Sequence, residues 1–411
     1  MERSRPGFAF LALLLVSVPV LAIASSEITG STDGGAFYKI IVPDPWNGDL
    51  VIWNHGFSLA PPAPVNDLGP LAELQLLEGY AVAASSYQQA GWALFKSRND
   101  LQNMVGVFKD KFGTPKRLFL TGGSLGGLVT VAAIEDANIG NIVGAFPFCG
   151  AVAGSRNWDA ALDLRLVYDA VCADVPGAAI PGGAEGLPLR ASFTQTDLRL
   201  AVDACTGILT PPAVRTPGQK GRLKKILDSL HFPENFLLTD MGYATFAMSD
   251  LVHDPRKLSG KIGTGNAGVD YGDPGINASI GRVSPNPGAA KRLRKNYTPT
   301  GKVGKTKIVS MHTDKDGLVL VENEGEYAKV VPAGNLTTAI VVEESPTHCG
   351  FTVAETVAGW ESLRAWVGGG PQPTAGSIQR ACMAMPVKFS GPCRIDPGFV
   401  IPDMDGRIRP R

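Results

Sequence analysis

A serine between glycines is the first residue of this sequence that could do covalent chemistry. The segment GGSLG around Ser124 (122–126) fits the pattern G-x-S-x-G, and it joins an apolar run at 117–122 to a helix-like segment at 125–136. A strand that turns sharply into a helix exposes the central hydroxyl near the positive end of the helix dipole. We therefore predict that Ser124 is a nucleophile, although a glycine-rich turn could also carry an ordinary serine.

A nucleophilic serine needs an imidazole base, and the imidazole needs a carboxylate to orient it. Two of the five histidines, His312 and His348, accompany the last two strand-like runs of the chain. In this architecture the three residues follow one another along the chain as serine, acid and histidine, so the last histidine, His348, is the predicted base. Asp316 is the predicted acid because the sequence DGLV that starts there is typical of the turn after such a strand, and Asp314 is the alternative.

Acyl transfer also needs N–H donors for the negative charge that develops on the substrate oxygen. One donor should be the backbone N–H of Leu125, directly after the nucleophile. The other should come from the loop after the run at 49–54, where Phe57 is the predicted donor. Tyr87 and Trp92 follow a later run. They could line the substrate pocket, or they could equally pack against the sheet.

Composition and missing motifs narrow the classes of partner. The chain has 411 residues with 38 basic and 38 acidic side chains, and this neutral balance argues against nucleic acid or an anionic membrane as a main partner. Neither H-E-x-x-H nor C-x-x-C occurs, so we expect no metal site and no cofactor. The expected partner is a small-molecule or oligomeric substrate, and the oligomeric state stays open.

Short apolar runs that alternate with helix-length segments must position these residues. Most of the runs are continuously apolar, which is typical of strands buried on both faces of a parallel sheet. The pattern predicts an α/β fold with a mostly parallel central sheet, helices on both faces and a large inserted cap. The predicted divisions are a signal peptide at 1–24, a core at 25–149 and 305–368, the cap at 150–304, and a Gly/Pro-rich C-terminal strap at 369–411.

The first 24 residues predict the compartment. Arg3 and Arg5 precede an apolar run at 8–24, and the run ends in the small-x-small pattern of a signal peptidase site before Ser25. A membrane anchor is the alternative, since 17 residues are at the short limit for a span. Cleavage would make the protein secreted, either extracellular or periplasmic, where cysteines are oxidised. Six cysteines allow fifteen pairings, and the sequence does not choose among them; proximity suggests Cys172–Cys205 and Cys382–Cys393, which would leave Cys149 with Cys349.

These motifs together resemble the secreted bacterial-type α/β-hydrolase family of serine esterases and prolyl-oligopeptidase-like hydrolases. The segments that carry the resemblance are, in order, LVIWNHGFS, GYAVAASSY, LFLTGGSLGG, HTDKDGLV and THCGF. It implies Ser124 as nucleophile, Asp316 as acid and His348 as base, with Leu125 and Phe57 as oxyanion donors. Tannase-like and feruloyl esterase-like enzymes also have a cysteine after the triad histidine, but their second cysteine precedes the nucleophile, where this chain has a glycine.

The sequence therefore predicts a secreted serine hydrolase that cleaves carboxylic esters through an acyl-enzyme intermediate. A serine peptidase with the same triad is the first alternative, and an inactive binding protein on this scaffold is the second. Substrate specificity in such folds is set by the cap and loops, where no motif identifies the ester.

Overall fold

The computed structural model of the chain describes residues 25–386, 389 and 391–411. The predicted signal peptide at 1–24 lies outside the described residues. Within the described part, no helix combines the length and the apolar character needed to cross a bilayer.

The centre of the molecule is a nine-stranded sheet in the order β1-β2-β4-β3-β5-β6-β7-β8-β9. The six strands from β4 to β8 in this order pair in parallel, whereas β1, β2 and β9 add antiparallel pairs at the two edges. The strands are β1 (Ser25–Ser31), β2 (Phe37–Pro43), β3 (Asp49–Asn54), β4 (Ala81–Ser85), β5 (Arg117–Gly123), β6 (Ile142–Phe148), β7 (Lys307–Thr313), β8 (Leu336–Val341) and β9 (Ile395–Asp396).

Side chains that alternate along the central strands build one hydrophobic core on each face of the sheet. In β5, Leu118 and Leu120 belong to one core, and Phe119 between them belongs to the other. Helices cover both cores, and the predicted α/β class is confirmed. The helices of the core are α1 (Ala72–Leu77), α2 (Ser97–Phe112), α3 (Leu125–Ile134), α11 (Glu322–Val330) and α12 (Val353–Val367).

The connection between β6 and β7 carries a group of helices that covers the carboxyl edge of the sheet. Helix α4 packs against α6 and α7 in this group. The group contains α4 (Asn157–Val171), α5 (Gln195–Thr206), α6 (Pro217–Leu230), α7 (Leu237–Gly242), a π-helical turn (Tyr243–Ala247), α8 (Met248–His253), α9 (Pro274–Ser279) and α10 (Pro287–Lys295). Because parallel strands end at this edge, the group lies where α/β proteins bind their ligands.

Two regions are more ordered than the sequence predicted. Strand β1 was not expected, because its residues SSEITGS are mostly polar; it forms an edge strand whose partner β2 supplies the hydrogen bonds. The tail beyond 368 was expected to be an irregular surface strap, but it contains α13 (Ala375–Met383) and β9. Its end is also anchored in the interior, since Met404 and Ile408 are each 1% exposed.

Candidate active site

The turn between β5 and α3 holds Ser124 in a conformation that is rare for a residue with a side chain. Its φ is 57° and its ψ is −126°, and such positive φ values are strained outside glycine. A Cβ at Gly122 would overlap the carbonyl of Gly126, and a Cβ at Gly126 would overlap the carbonyl oxygen of Asn54. The two glycines therefore allow the close approach of strand and helix that presents the serine hydroxyl at the sheet edge.

Three side chains from distant parts of the chain form one continuous series of hydrogen bonds. His348 Nε2 lies 2.9 Å from Ser124 Oγ, and His348 Nδ1 lies 2.6 Å from Asp316 Oδ2. The other carboxylate oxygen of Asp316 accepts hydrogen bonds from the backbone N–H groups of Leu318 and Val319, each at 3.0 Å. Asp316 is 2% exposed. The carboxylate can therefore hold one tautomer of the imidazole, with Nε2 facing the serine hydroxyl.

The alternative acid, Asp314, has a different partner. Its Oδ1 accepts the backbone N–H of Glu343 at 2.8 Å, so it ties the loop after β7 to the loop after β8. The structure thus brings Asp316, rather than Asp314, to His348. The two candidates are two positions apart in the sequence, and only Asp316, at the start of the turn DGLV, faces the histidine.

His312 supports the turn that carries Asp316, a role that the sequence did not suggest. Its Nε2 donates to the carbonyl of Val319 at 2.7 Å, and Val319 in turn donates to Asp316. Burial lowers the pKa of His312, but the hydrogen bond and charge of Glu324, with the charge of Asp316, outweigh burial and raise the pKa overall. The fully buried ring therefore braces the turn that carries the acid.

The two predicted oxyanion donors are placed beside the nucleophile. Leu125 opens helix α3, and Phe57 follows Gly56, whose position for a Cβ is 3.4 Å from the Cβ of Ser124. Within the described residues, neither the Leu125 nor the Phe57 N–H donates a hydrogen bond to the protein. Both groups are therefore available to a substrate oxygen.

Tyr87 and Trp92, the two predicted pocket residues, have separate positions. Trp92 lines the cavity that contains Ser124, and its Nε1 donates to the carbonyl of Asn296 at 2.5 Å. Tyr87 lies outside that cavity: its ring stacks on His55 with centroids 4.2 Å apart, and its hydroxyl donates to the His55 carbonyl at 3.2 Å. Tyr87 therefore supports the loop that carries Phe57 and does not line the cavity that contains Ser124.

The cavity beside Ser124 is mostly apolar and has a volume of about 120 Å³. This volume is close to that of the cavity of about 150 Å³ that accommodates benzene in an engineered protein. Residues of α4, α7, the loop after β7 and the end of the chain enclose it. The lining includes Phe57, Trp158, Leu164, Phe232, Tyr243, Leu318 and Ile408.

Two polar residues of the cavity were missed by sequence analysis. Asp240 on α7 and Tyr243 on the adjoining π-helical turn lie three positions apart, and both line the cavity. Burial, and secondarily the nearby Asp316 carboxylate, raises the pKa of Asp240 well above its usual range. Burial also raises the pKa of Tyr243 to about 12, with smaller contributions from both carboxylates. No motif marks them, because only the folded cap turns this helix face towards the serine.

The six cysteines lie in three pairs at disulfide-bonding distance. They are the pairs named from the sequence: Cys149–Cys349, Cys172–Cys205 and Cys382–Cys393. The first pair is next to the candidate base. The two sulfurs and His348 lie within 4.8 Å of one another, but the sulfurs are bonded to each other and the imidazole contacts Ser124. This cluster is therefore part of the serine site and not a metal centre.

The strand order and the placement of the three side chains define the class of this protein. The turn with Ser124 follows β5, Asp316 follows β7 and His348 follows β8, and this order is typical of the α/β-hydrolase fold. The sheet order and the positions of these three residues therefore give the chain the α/β-hydrolase fold.

Comparison with known proteins gives distant likenesses to hydrolases. No protein-family model matches the chain. The o-phthalyl amidase of Xanthobacter agilis is 28% identical over 117 residues, which are 28% of this chain and 25% of the amidase. The match therefore spans only about a quarter of that relative.

Among solved structures, two examples are a lipase and an esterase. Candida antarctica lipase A in its closed state is 12% identical, with a TM-score of 0.44 over 94% of this chain and 84% of the lipase. Feruloyl esterase B from Aspergillus oryzae is 11% identical, with a TM-score of 0.44 over 85% of this chain and 81% of the esterase.

Proposed function

We propose that this chain is a secreted serine hydrolase that cleaves carboxylic esters. The observation that supports it most is the unbroken series of hydrogen bonds from Ser124 through His348 to Asp316, at the edge of an apolar cavity. A serine, an imidazole and a carboxylate in this order support acyl transfer as the reaction.

In the first half-reaction, Ser124 Oγ attacks the ester carbonyl carbon while His348 Nε2 takes the hydroxyl proton. The carbonyl oxygen gains the negative charge and accepts hydrogen bonds from the Leu125 and Phe57 N–H groups. Asp316 stabilises the imidazolium cation that forms. The C–O bond to the alcohol then breaks, His348 returns its proton to the leaving oxygen, and an ester of Ser124 remains.

In the second half-reaction, water replaces the alcohol. His348 takes a proton from the water as its oxygen attacks the acyl carbon, and the same N–H groups hold the second oxyanion. The bond to Ser124 breaks, and the serine recovers its proton from the imidazolium. Every proton is moved by residues of this chain, so the cycle balances with water as the only co-substrate.

Fluorophosphonate labelling tests this proposal directly, because the probe reacts with an activated serine. We expect the wild type to be labelled on Ser124 and to hydrolyse p-nitrophenyl esters. The Ser124→Ala variant should lose both properties, whereas Ser279→Ala, at an exposed serine of α9, should keep both. Absence of labelling in the wild type, or full esterase activity in Ser124→Ala, would contradict the proposal.

Amide hydrolysis is the second candidate, and the likeness to o-phthalyl amidase favours it. The same triad could cleave an amide, for which the leaving nitrogen must be protonated by His348. We expect matched p-nitrophenyl esters to be cleaved with a higher kcat/KM than the corresponding p-nitroanilides. The reverse order would make amides, including peptides, the main substrate.

Export is the remaining part of the proposal. The cysteine pairs at bonding distance are consistent with an oxidising compartment, and the N-terminal pattern at 1–24 suggests how the chain reaches it. Mass spectrometry of the exported protein should find Ser25 as the first residue. A chain that keeps residues 1–24 in the membrane fraction would instead support an anchor.

A further inference from the structure

The cavity beside Ser124 contains a carboxyl group that has no hydrogen-bond partner among the residues that the structure describes. Asp240 lies on α7 and lines this cavity. Its Oδ1 is shielded from solvent, and within the described residues it makes no hydrogen bond. A shielded polar group of this kind is unfavourable unless something hydrogen-bonds to it.

A second carboxylate in the same lining shows how such a group is normally satisfied. Asp163 accepts a hydrogen bond from the Tyr271 hydroxyl at 2.6 Å and pairs with Arg411 at 3.1 Å. Asp240 has neither kind of partner in the described part of the chain, and the like charge of Asp316 adds to burial in raising its pKa. The unpaired carboxyl is therefore specific to the part of the cavity near the catalytic residues.

The helix that carries Asp240 is held against the catalytic machinery. It continues from α7 into the π-helical turn Tyr243–Ala247, a rare geometry that occurs frequently at functional sites. The ring of Tyr243 packs on the ring of Phe57 with centroids 4.8 Å apart. The helical turn that follows Asp240 is therefore packed against Phe57, the proposed oxyanion donor.

We propose that Asp240 determines substrate choice by accepting a hydrogen bond from an ammonium or hydroxyl group on the part of the substrate that enters this cavity. This inference rests on the proposed hydrolase function and adds the substrate class to it. A mostly apolar pocket that contains an unpaired acceptor favours an apolar body with a donor at the matching position. A purely apolar substrate would leave the carboxyl unpaired, so it should react more slowly.

Matched substrates can measure this preference without reference to the absolute activity. Within each set, the substrates differ only in whether they carry CH₃, OH or NH₃⁺ at the same position. The first set is p-nitrophenyl heptanoate with the 6-hydroxyhexanoate and the 6-aminohexanoate. The second set is p-nitrophenyl benzoates with an ethyl, hydroxymethyl or aminomethyl group at the para or meta carbon. A third set places the same substituents on phenyl acetates, so that the leaving group carries the donor. The ratio of kcat/KM for donor and methyl substrates is taken within each protein, which cancels differences in the folded fraction.

In at least one set, we expect the wild type to prefer the donor substrate by about tenfold. Asp240→Leu should remove or reverse the preference. Asp240→Asn, the conservative variant, should keep a preference for hydroxyl and lose one for ammonium, which distinguishes the two donors. Asp228→Asn, on the exposed surface of α6, should behave as the wild type.

Two outcomes separate this inference from the proposed function. If Ser124 is labelled by fluorophosphonate but no set shows a ratio that changes in Asp240→Leu or Asp240→Asn, the specificity role is wrong and the hydrolase function stands. If the wild type is neither labelled nor active on any ester, both proposals fail together.

Discussion

Cys149 and Cys349 have Cα atoms only 5.2 Å apart although 200 positions separate them in the chain. Cys149 directly follows β6 and is fully buried, and Cys349 directly follows His348. The pair therefore ties the loop of the proposed base to the edge of the sheet, close to the turn that holds Ser124.

Replacing both cysteines, as Cys149→Ala with Cys349→Ala, should lower stability and turnover together. Loss of a native disulfide typically reduces the free energy of unfolding by about 2–5 kcal/mol. The histidine loop also gains freedom, so kcat should fall by about tenfold or more. Urea denaturation and ester hydrolysis measure the two effects.

The matched control is the cap pair, replaced as Cys172→Ala with Cys205→Ala. This pair joins the end of α4 to α5, away from His348. It should lose stability with a much smaller change in kcat. Equal losses of kcat in both double variants would show that the first pair has no particular role in holding the base.

The identity of the acid can be tested by paired substitutions. Asp316→Asn removes the charge that stabilises the imidazolium and favours the wrong tautomer, so kcat should fall by roughly 10⁴-fold. Asp314→Asn keeps an oxygen that can accept the Glu343 N–H, so kcat should fall by less than about tenfold. Steady-state kinetics on one p-nitrophenyl ester decides between them, and a larger loss in Asp314→Asn would reverse the assignment.

The turn around Ser124 leaves no room for a side chain at Gly126. Gly126→Ala would place a methyl group against the carbonyl oxygen of Asn54. This oxygen belongs to the backbone of β3, so it cannot move aside as the end of a flexible side chain could. We expect this variant to lose labelling of Ser124 and to melt at a lower temperature.

The control for this change is Gly106→Ala on α2, where an added methyl group meets no atom within 4 Å. Because alanine favours the helix more than glycine, this variant should be more stable by about 0.5–1 kcal/mol. Circular dichroism melts and fluorophosphonate labelling compare the two. Normal labelling of Gly126→Ala would mean that the turn tolerates a side chain.

Glu78 should make stability depend on pH. Its carboxylate accepts hydrogen bonds from Arg364 at 2.6 Å and from Trp360 at 3.4 Å, both on α12. Burial, followed by the hydrogen bond with Glu361, raises its pKa from 4.5 to about 7. Between these two pH values the folded state holds a proton that the unfolded state has released, so this contribution to stability is present at low pH and is lost as pH rises through 7.

The difference between wild type and Glu78→Gln isolates this effect. The free energy of unfolding, measured in urea from pH 4.5 to 8, should decline with pH more steeply in the wild type than in Glu78→Gln. Glu73→Gln, at an exposed position of helix α1, which ends directly before Glu78, should follow the wild type. Parallel curves for wild type and Glu78→Gln would show that Glu78 does not contribute to the pH dependence.

Local patterns were sufficient to predict most of the elements. Continuous apolar runs predicted the parallel strands, and the run at 117–122 and the helix-like segment at 125–136 correspond to β5 and α3. The turn around Ser124 was also visible, because its glycines and flanking elements are contiguous in the chain. Strand β1 was missed for the opposite reason: its residues carry no apolar signal, and its partner β2 supplies the hydrogen bonds that define it.

The sequence by itself determined which chemistry was available: a serine in a strand–turn–helix, a late histidine and a choice of two aspartates. Only the tertiary structure decided that Asp316 faces His348, that Tyr87 supports a loop, and that the unpaired carboxyl of Asp240 lies beside the serine. The physical reason is the distance along the chain over which each kind of interaction acts. Turn and strand preferences act over a few neighbouring residues, whereas distances between loops hundreds of residues apart depend on the strand order and on how the cap packs over the sheet edge.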